Sequence, residues 1–159
     1  NLEVSQKLKE QLEEIGFKVD MTRTDSNALD STKNGDMEKR KSIIYNSDAD
    51  VLVSIHMNTH QDSKVNGPIV FYMPGSTNGN KLASIIQESM NSELKPKNPK
   101  SPQSQNFLVL RSGKMPGILV ECGFITNKDE AGKLASDAYQ KRMVQSISFG
   151  IMDYFAERA

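Results

Sequence analysis

ADVLVSIHMN, residues 49–58, is the stretch of sequence that decides the fold. Its centre, residues 51–55, is apolar and mostly β-branched apart from one serine, and it is too short for a helix. Such a run is typical of a strand buried on both faces of a mostly parallel sheet. The run gives way to His56 and then Asn58, and in open α/β sheets ligands bind at the carboxyl ends of strands. The stretch therefore predicts a buried strand that ends in a functional site.

A second apolar run, residues 117–120, also ends in a polar residue, Glu121. The carboxyl ends of parallel strands meet at one edge of the sheet. We therefore expect His56 and Glu121 to lie side by side in one cleft.

The composition excludes several classes of protein. At 159 residues the chain is long enough to bury a core of its own, and we expect residues 1–159 to form a single domain. Twenty basic and twenty acidic residues cancel, without a long run of one sign, so we do not expect a nucleic-acid partner. No segment approaches the roughly 18 consecutive apolar residues of a membrane span. The single cysteine, Cys122, excludes an internal disulfide.

Helical and strand-like patterns alternate along the chain. The first pattern is already helical at Asn1, without an initiator methionine, which is typical of a fragment or a processed product. Gly16 lies where this helix would end. The lysine- and proline-rich residues 95–105 are predicted to be a surface excursion or a mobile flap. The predicted helices cover residues 2–15, 37–46, 81–94, 127–135 and 139–155, and the predicted strands cover residues 17–23, 51–55, 68–73, 107–110 and 117–120. This order predicts an α/β fold, a three-layer α/β/α sandwich around a mostly parallel, mixed sheet.

His56 is the first candidate for a metal ligand, because a metal is a natural reason to place an imidazole at the end of a buried strand. A structural or surface histidine is the alternative. His60 gives a His-x-x-x-His spacing, but that spacing brings two ligands together only on a helix. In an extended segment the four residues span roughly 13 Å. His60 is therefore the weaker candidate.

Glu121 is the candidate general base. A carboxylate that follows four apolar strand residues should be partly desolvated, and burial raises the pKa of a carboxyl group. A raised pKa suits a base that takes a proton from a bound water near neutral pH. The alternative is a structural glutamate in a salt bridge, for instance with Arg40 or Arg111.

Cys122 raises the alternative of a cysteine hydrolase with His56 as its base. Successive side chains of a strand point to opposite faces. If Glu121 faces the cleft, Cys122 packs into the core as a small hydrophobe, which is the usual role of a free cysteine.

Motifs along the whole chain resemble the zinc-dependent N-acetylmuramoyl-L-alanine amidases (amidase type 3) found among bacterial autolysins and spore cortex enzymes. The two most specific are SIHMN, residues 54–58, and PGILVECGFITN, residues 116–127. The weaker ones are Thr22-Arg23, Arg40, Asn46, Ala49-Asp50, Gly67 and residues 107–110. The chain looks most similar to the spore and germination branch.

The resemblance implies roles for two residues. In this family two histidines and one glutamate hold a zinc, and a second glutamate acts on the zinc-bound water. By position, His56 resembles the second histidine ligand and Glu121 resembles the catalytic glutamate. Asn58, two residues past His56, is a candidate to orient the substrate or hold the loop, and a purely structural asparagine is the alternative. The first histidine, normally in a Gly-His-Gly-Gly loop, and the metal-binding glutamate before the first helix do not occur in the sequence. We therefore expect the first strand and the first metal-binding loop to lie upstream of Asn1.

The resemblance also implies a substrate and a location. The substrate would be the amide bond between N-acetylmuramic acid and L-alanine in peptidoglycan. The protein would act outside the cytoplasm, in the cell wall or spore cortex, as a monomer with a protein partner for its delivery or activation. A non-catalytic peptidoglycan-binding or regulatory domain on the same fold is the alternative from another class, motivated by the missing ligands.

Overall fold

The computed structural model describes residues 1–158 and contains five helices and four strands in that range. In chain order they are α1 (Leu2–Glu14), α2 (Lys33–Tyr45), β1 (Leu52–Asn58), β2 (Ile69–Tyr72), α3 (Thr77–Leu94), β3 (Gln103–Ser104), β4 (Gly117–Phe124), α4 (Lys128–Leu134) and α5 (Asp137–Ala156). None of these helices is both long and apolar enough to cross a membrane.

The strands form one mixed sheet in the order β1-β4-β2-β3. β1 pairs in parallel with β4, β2 pairs in parallel with β3, and β2 pairs antiparallel with β4. β4 therefore lies inside the sheet, whereas β1 is an edge strand of the described structure. The predicted α/β fold with a mostly parallel, mixed sheet is confirmed.

One face of the sheet packs against α1, α3 and α5. Alternate residues of β4, namely Ile118, Val120 and Cys122, are completely buried on this face. The main helical residues of this core are Val4, Leu8, Leu82, Ile86, Met90, Met143, Ile147 and Ile151. The periodic apolar positions of these helices therefore supply one side of the sandwich.

The opposite face carries α2 and the segment of residues 106–116. An added Cβ at Gly117 would lie 3.5 Å from Leu110, so this segment crosses the start of β4. An added Cβ at Gly113 would lie 3.0 Å from Ile44 of α2. Phe107 packs edge-to-face on Phe71 of β2 with ring centroids 5.4 Å apart. These elements cover the amino-terminal part of β4 on this face.

Side-chain caps fix where several helices begin. The Thr32 hydroxyl accepts a hydrogen bond from Gly35 at the start of α2, and the Ser76 hydroxyl accepts one from Gly79 at the start of α3. Such caps satisfy amides that have no partner inside the helix. α1 ends as predicted, because Gly16 follows its last turn with a φ of 96° that favours glycine.

Two predicted strands are wrong. Residues 17–23 form neither a helix nor a strand, and the amine of Lys9 on α1 donates to the carbonyl of Val19. Alternation of apolar and polar residues predicts a strand only where another strand lies beside it. Residues 107–110 form a turn in which the amide of Leu110 donates to the carbonyl of Phe107. There the backbone hydrogen bonds are made locally.

The two site strands continue past the ends predicted for them. β1 reaches Asn58 and β4 reaches Phe124, so His56 and Glu121 lie within strands and not after them. Backbone pairing between strands does not require apolar side chains, so the hydrogen bonds between β1 and β4 continue past these polar residues. Most of β1 is also only half-buried, because one of its edges is bare within residues 1–158.

The segment of residues 95–105 lies at the surface as predicted, but it is tied to the sheet. It contains β3, and the side chain of Asn91 donates to the carbonyl of Lys100. The side chain of Asn98 donates to Asn66.

Candidate active site

His56 on β1 and Glu121 on β4 are direct partners in the parallel register of the two strands. Partners at the same level of a sheet project their side chains to the same face. This face is opposite to the one that carries Cys122, which is buried among the helices. The expectation that the histidine and the glutamate lie side by side is confirmed.

Ser54 orients the imidazole of His56. It lies two residues earlier on β1, and its hydroxyl oxygen is 2.9 Å from His56 Nε2. Burial, and then the positive charges of the amino terminus and Arg40, lower the pKa of His56 below its usual 6.5. The imidazole is therefore neutral at physiological pH, which is the form that binds a metal.

Glu121 is a partly buried carboxyl group without a counter-ion in residues 1–158. Its Oε2 is buried and has no hydrogen-bond partner among the described residues. Burial raises the pKa of Glu121 from 4.5 to about 7. The alternative salt bridges are not formed, because Arg40 pairs with Asp36 and Arg111 bonds to Asn106.

A β-bulge follows Glu121 directly. The next register pair joins Asn58 to Phe124, so two residues of β1 oppose three residues of β4 beyond Glu121. Gly123 lies in this bulge with a φ of 153°, a conformation that side chains rarely adopt. Bulges bend a strand and re-aim the neighbouring side chains, and they are common beside active sites.

Asn58 and His60 lie at the carboxyl end of β1. The side-chain oxygen of Asn58 accepts from the amide of Thr59 at 2.8 Å, and its carbonyl accepts from the amide of Ile125. His60 is exposed on the following loop, where its Nδ1 accepts from the amide of Asp62 at 3.0 Å. Within residues 1–158, His60 belongs to no group of three or more side chains that could hold a metal.

A cleft of about 1100 Å³ runs beside the bare edge of β1. Residues 17–23 form one of its walls and residues 51–56, which include His56, form another. Glu121 does not line this cleft. This cavity therefore follows the strand edge, and the expectation of one cleft shared by His56 and Glu121 is not met in it.

Comparison with known proteins gives the family of this chain. The family model described as N-acetylmuramoyl-L-alanine amidase (Amidase_3) matches residues 1–153. The chain belongs to this amidase family.

Two kinds of relatives agree with the assignment. The germination-specific N-acetylmuramoyl-L-alanine amidase of Bacillus subtilis is 31% identical over 99% of this chain and 70% of its own length. The CwlD amidase of Clostridioides difficile, solved in complex with the GerS lipoprotein, superposes with a TM-score of 0.92 at 30% identity, covering 98% of this chain and 84% of that one. A second amidase, from Clostridium difficile 630, superposes with a TM-score of 0.87 at 32% identity. The match covers 99% of this chain and 83% of that one.

The described residues do not form a complete metal site on their own. The family is generally zinc-dependent, yet residues 1–158 contain no group of three histidine, cysteine, aspartate or glutamate side chains that could hold a metal. The neutral imidazole of His56 fits one ligand position of a zinc site, and the carboxyl group of Glu121 beside it fits a group that acts on a bound water. A complete protein site needs three or four ligands.

The cysteine-hydrolase alternative is not supported by the structure. Burial raises the pKa of the Cys122 thiol to about 12, and the side chain is completely buried on the face opposite to His56. It therefore cannot form the thiolate–imidazole pair of such an enzyme.

Sequence reasoning missed Ser54 and Glu130 as supports of the site. A signal for Ser54 was present, because a single polar residue in an apolar strand lies two positions before His56 and so on the same face. Glu130 gave no comparable signal, because its partners lie in two other segments of the chain.

Proposed function

We propose that this chain hydrolyses the bond between N-acetylmuramic acid and L-alanine with zinc, using His56 as a metal ligand and Glu121 as the general base. The observation that carries the proposal is the direct pairing of His56 with Glu121, whose Oε2 is buried without a partner in the described residues. A carboxyl group with a pKa near 7 can accept and return a proton at neutral pH.

Glu121 moves the proton in the proposed reaction. It takes a proton from the attacking water, whose oxygen bonds to the lactyl carbonyl carbon. The bond from this carbon to the alanine nitrogen breaks, and Glu121 passes the proton to that nitrogen. The products are the carboxyl group of the muramic acid and the free amino terminus of the stem peptide. Zinc, when bound, lowers the pKa of water to about 7 and polarises the carbonyl.

Two neighbouring residues complete the proposed roles on β1. The Ser54 hydroxyl holds the ring of His56 through Nε2, as groups behind a ligating histidine do in metal sites. Asn58 is proposed to orient the substrate from the end of the same strand. Its side-chain oxygen already accepts from Thr59, so the test must separate a substrate role from a local structural one.

We also propose that the domain is completed by a further strand in the cleft beside β1, supplied by residues upstream of Asn1. The amide of Leu52 donates to the carbonyl of Pro116, just before β4, and the carbonyl of Asn58 accepts from the amide of Ile125, just after β4. The backbone groups of the even-numbered residues of β1 therefore face β4. In a parallel ladder the odd-numbered residues then present their N–H and C=O groups to the bare edge.

The remaining walls of the cleft support this proposal. Residues 17–23 line it with an alternating pattern but form no strand, as expected if the strand that pairs with them is lacking. Asn1, the residue directly before α1, also lines the cleft. A strand in the cleft, followed by α1 and residues 17–23, would make a β-α-β unit of the ordinary kind.

Zinc binding tests the metal part of the proposal. With one imidazole supplied, residues 1–159 should bind zinc weakly and lose it on dialysis, whereas a form extended upstream should retain about one equivalent. Calorimetric titration of zinc measures this. His56→Ala should remove the remaining affinity, and His60→Ala is the matched control, which should leave it unchanged. Stoichiometric zinc that survives dialysis in the short chain would contradict the assignment of His56 as its one ligand.

Hydrolysis tests the catalytic part. The extended form should release peptides with a free amino-terminal alanine from purified peptidoglycan, and a chelator should stop their release, as followed by mass spectrometry. Binding to peptidoglycan without zinc uptake or release of peptides would favour the non-catalytic domain.

The cellular setting is proposed from the relatives. Their names include germination-specific and cell wall amidases, which supports action outside the cytoplasm, in the cell wall or spore cortex. One relative forms a complex with a lipoprotein. We propose a monomer that is likewise delivered or activated by a protein partner.

A further inference from the structure

Glu130 is a buried carboxylate that joins two segments beside the candidate site. It lies in the first turns of α4 and is 8% exposed. Its Oε1 accepts from the amide of Gly67 at 2.9 Å, and its Oε2 accepts from the amide of Phe124 at 2.8 Å. Glu130 makes no salt bridge within the described residues. A buried carboxylate is costly unless it is hydrogen-bonded, so these two backbone amides are what stabilise it there.

One of the two amides closes the bulge that follows Glu121. Phe124 is the first residue of β4 whose pairing with β1 resumes after the bulge. An added Cβ at Gly123 would lie 3.3 Å from Glu130 Oε2, so the carboxylate also packs closely on the bulge itself. The bond to Phe124 therefore fixes the irregular part of β4 three residues beyond Glu121.

The other amide fixes the strand on the opposite side of Glu121. Gly67 has a φ of 92°, and only Pro68 separates it from the start of β2. Ile69, the first residue of β2, is the direct antiparallel partner of Glu121. Glu130 thus holds both the strand that carries Glu121 and the start of a neighbouring strand.

α4 itself is anchored, so that it can act as a support. The side chain of Asn127 caps the helix by accepting from the amides of Asp129 and Glu130. The side-chain NH2 group of Asn127 also donates to the carbonyl of Ser63 in the loop after β1. The helix is therefore tied to the segments that surround the carboxyl end of the sheet.

We propose that Glu130 is a positioning residue that clamps the bulge and thereby sets where the carboxyl group of Glu121 lies relative to His56. The inference rests on the proposed function of Glu121 and His56. A bulge re-aims the side chains next to it, and a displacement of about 1 Å in a catalytic group can cost on the order of 100-fold in rate. Nothing in this role requires Glu130 to touch the substrate.

The first test needs no enzymatic activity. Glu130→Gln keeps the shape but offers one acceptor oxygen where two amides point, so one of the two bonds is lost. We expect NMR hydrogen exchange to speed up about tenfold or more at Phe124 or Gly67, and the backbone shifts of Glu121 and Gly123 to move. Asp129→Asn is the matched control, because it makes the same charge change at an exposed neighbour and should leave these signals in place.

The second test separates positioning from simple loss of stability. In the zinc-loaded form extended upstream, Glu130→Gln should lower kcat about tenfold or more, with KM changed by less than about threefold. Ile147→Val, in the distant core, is the control for a destabilised but correctly positioned site. Unchanged shifts at Glu121 in Glu130→Gln would overturn the clamp. Altered shifts with kcat equal to that of Ile147→Val would show that Glu130 is only structural. An inactive wild type would contradict the proposed function, and the NMR test would still decide the clamp.

Discussion

Glu121→Gln should make the fold more stable above neutral pH while it removes activity. The carboxyl group of Glu121 has its pKa raised from 4.5 to about 7 by burial, so ionisation is more costly in the folded than in the unfolded chain. The protonated form is neutral and pays no such cost. Stability of the wild type should therefore fall as the pH rises from about 4.5 to about 7, and remain low above that range. Glutamine has nearly the same shape and does not ionise.

The size of the effect follows from the pKa difference. At about 1.36 kcal/mol for each pH unit, the upper limit is about 3.4 kcal/mol. Glu121 is only partly buried, and solvent screening reduces this to about 1–2 kcal/mol. For a domain of this size that corresponds to a rise in Tm of about 2–8 °C for the variant.

Thermal unfolding of the metal-free chain measures the effect. Wild type and Glu121→Gln should have similar Tm values at about pH 4.5. At about pH 8 the variant should unfold at a higher temperature than the wild type. Glu38→Gln, at an exposed position on α2, should show no comparable pH-dependent gain. A Tm difference that is the same at both pH values, or a variant that is less stable near about pH 8, would refute the reasoning about Glu121.

Other predictions concern the chemistry and the packing. In the zinc-loaded, extended form, Glu121→Gln should retain the metal but lose about 100- to 10,000-fold of the hydrolysis of muropeptides, and activity within a few-fold of wild type would contradict its role as general base. Cys122 should resist alkylation in the native chain near about pH 8 and react once the chain is unfolded in urea, because its thiol is buried and has a pKa of about 12. Rapid labelling of the folded chain would contradict this placement. Gly150→Ala should destabilise the fold by about 1–3 kcal/mol, because the new Cβ would lie 2.9 Å from Ile86 Cα, where α5 crosses α3. The helical control Gly132→Ala has no atom within 4 Å of its new Cβ and should be neutral or stabilising by up to about 1 kcal/mol in urea unfolding.

Local sequence determined the features that depend on neighbouring residues. The helices α1, α3 and α5 could be predicted from their periodic apolar positions, and the end of α1 from the glycine that follows it. A helix makes its backbone hydrogen bonds within its own segment, so local sequence is enough to indicate it. The apolar runs of β1 and β4 located the two strands and their polar residues. Since parallel strands end at one edge of the sheet, the proximity of His56 and Glu121 could also be predicted.

The tertiary structure decided the features that depend on distant partners. Residues 17–23 have the pattern of a strand but are not paired as one, because no strand lies beside them within residues 1–158. Within residues 1–158, the position of β1 at the edge and of β4 inside the sheet follows from pairing, which alternation along the chain does not encode. The bulge after Glu121 and its clamp by Glu130 depend on two amides that are 63 and 6 residues away in the chain. A carboxylate carries no mark of its partners in the sequence, so only the folded chain shows which amides it binds.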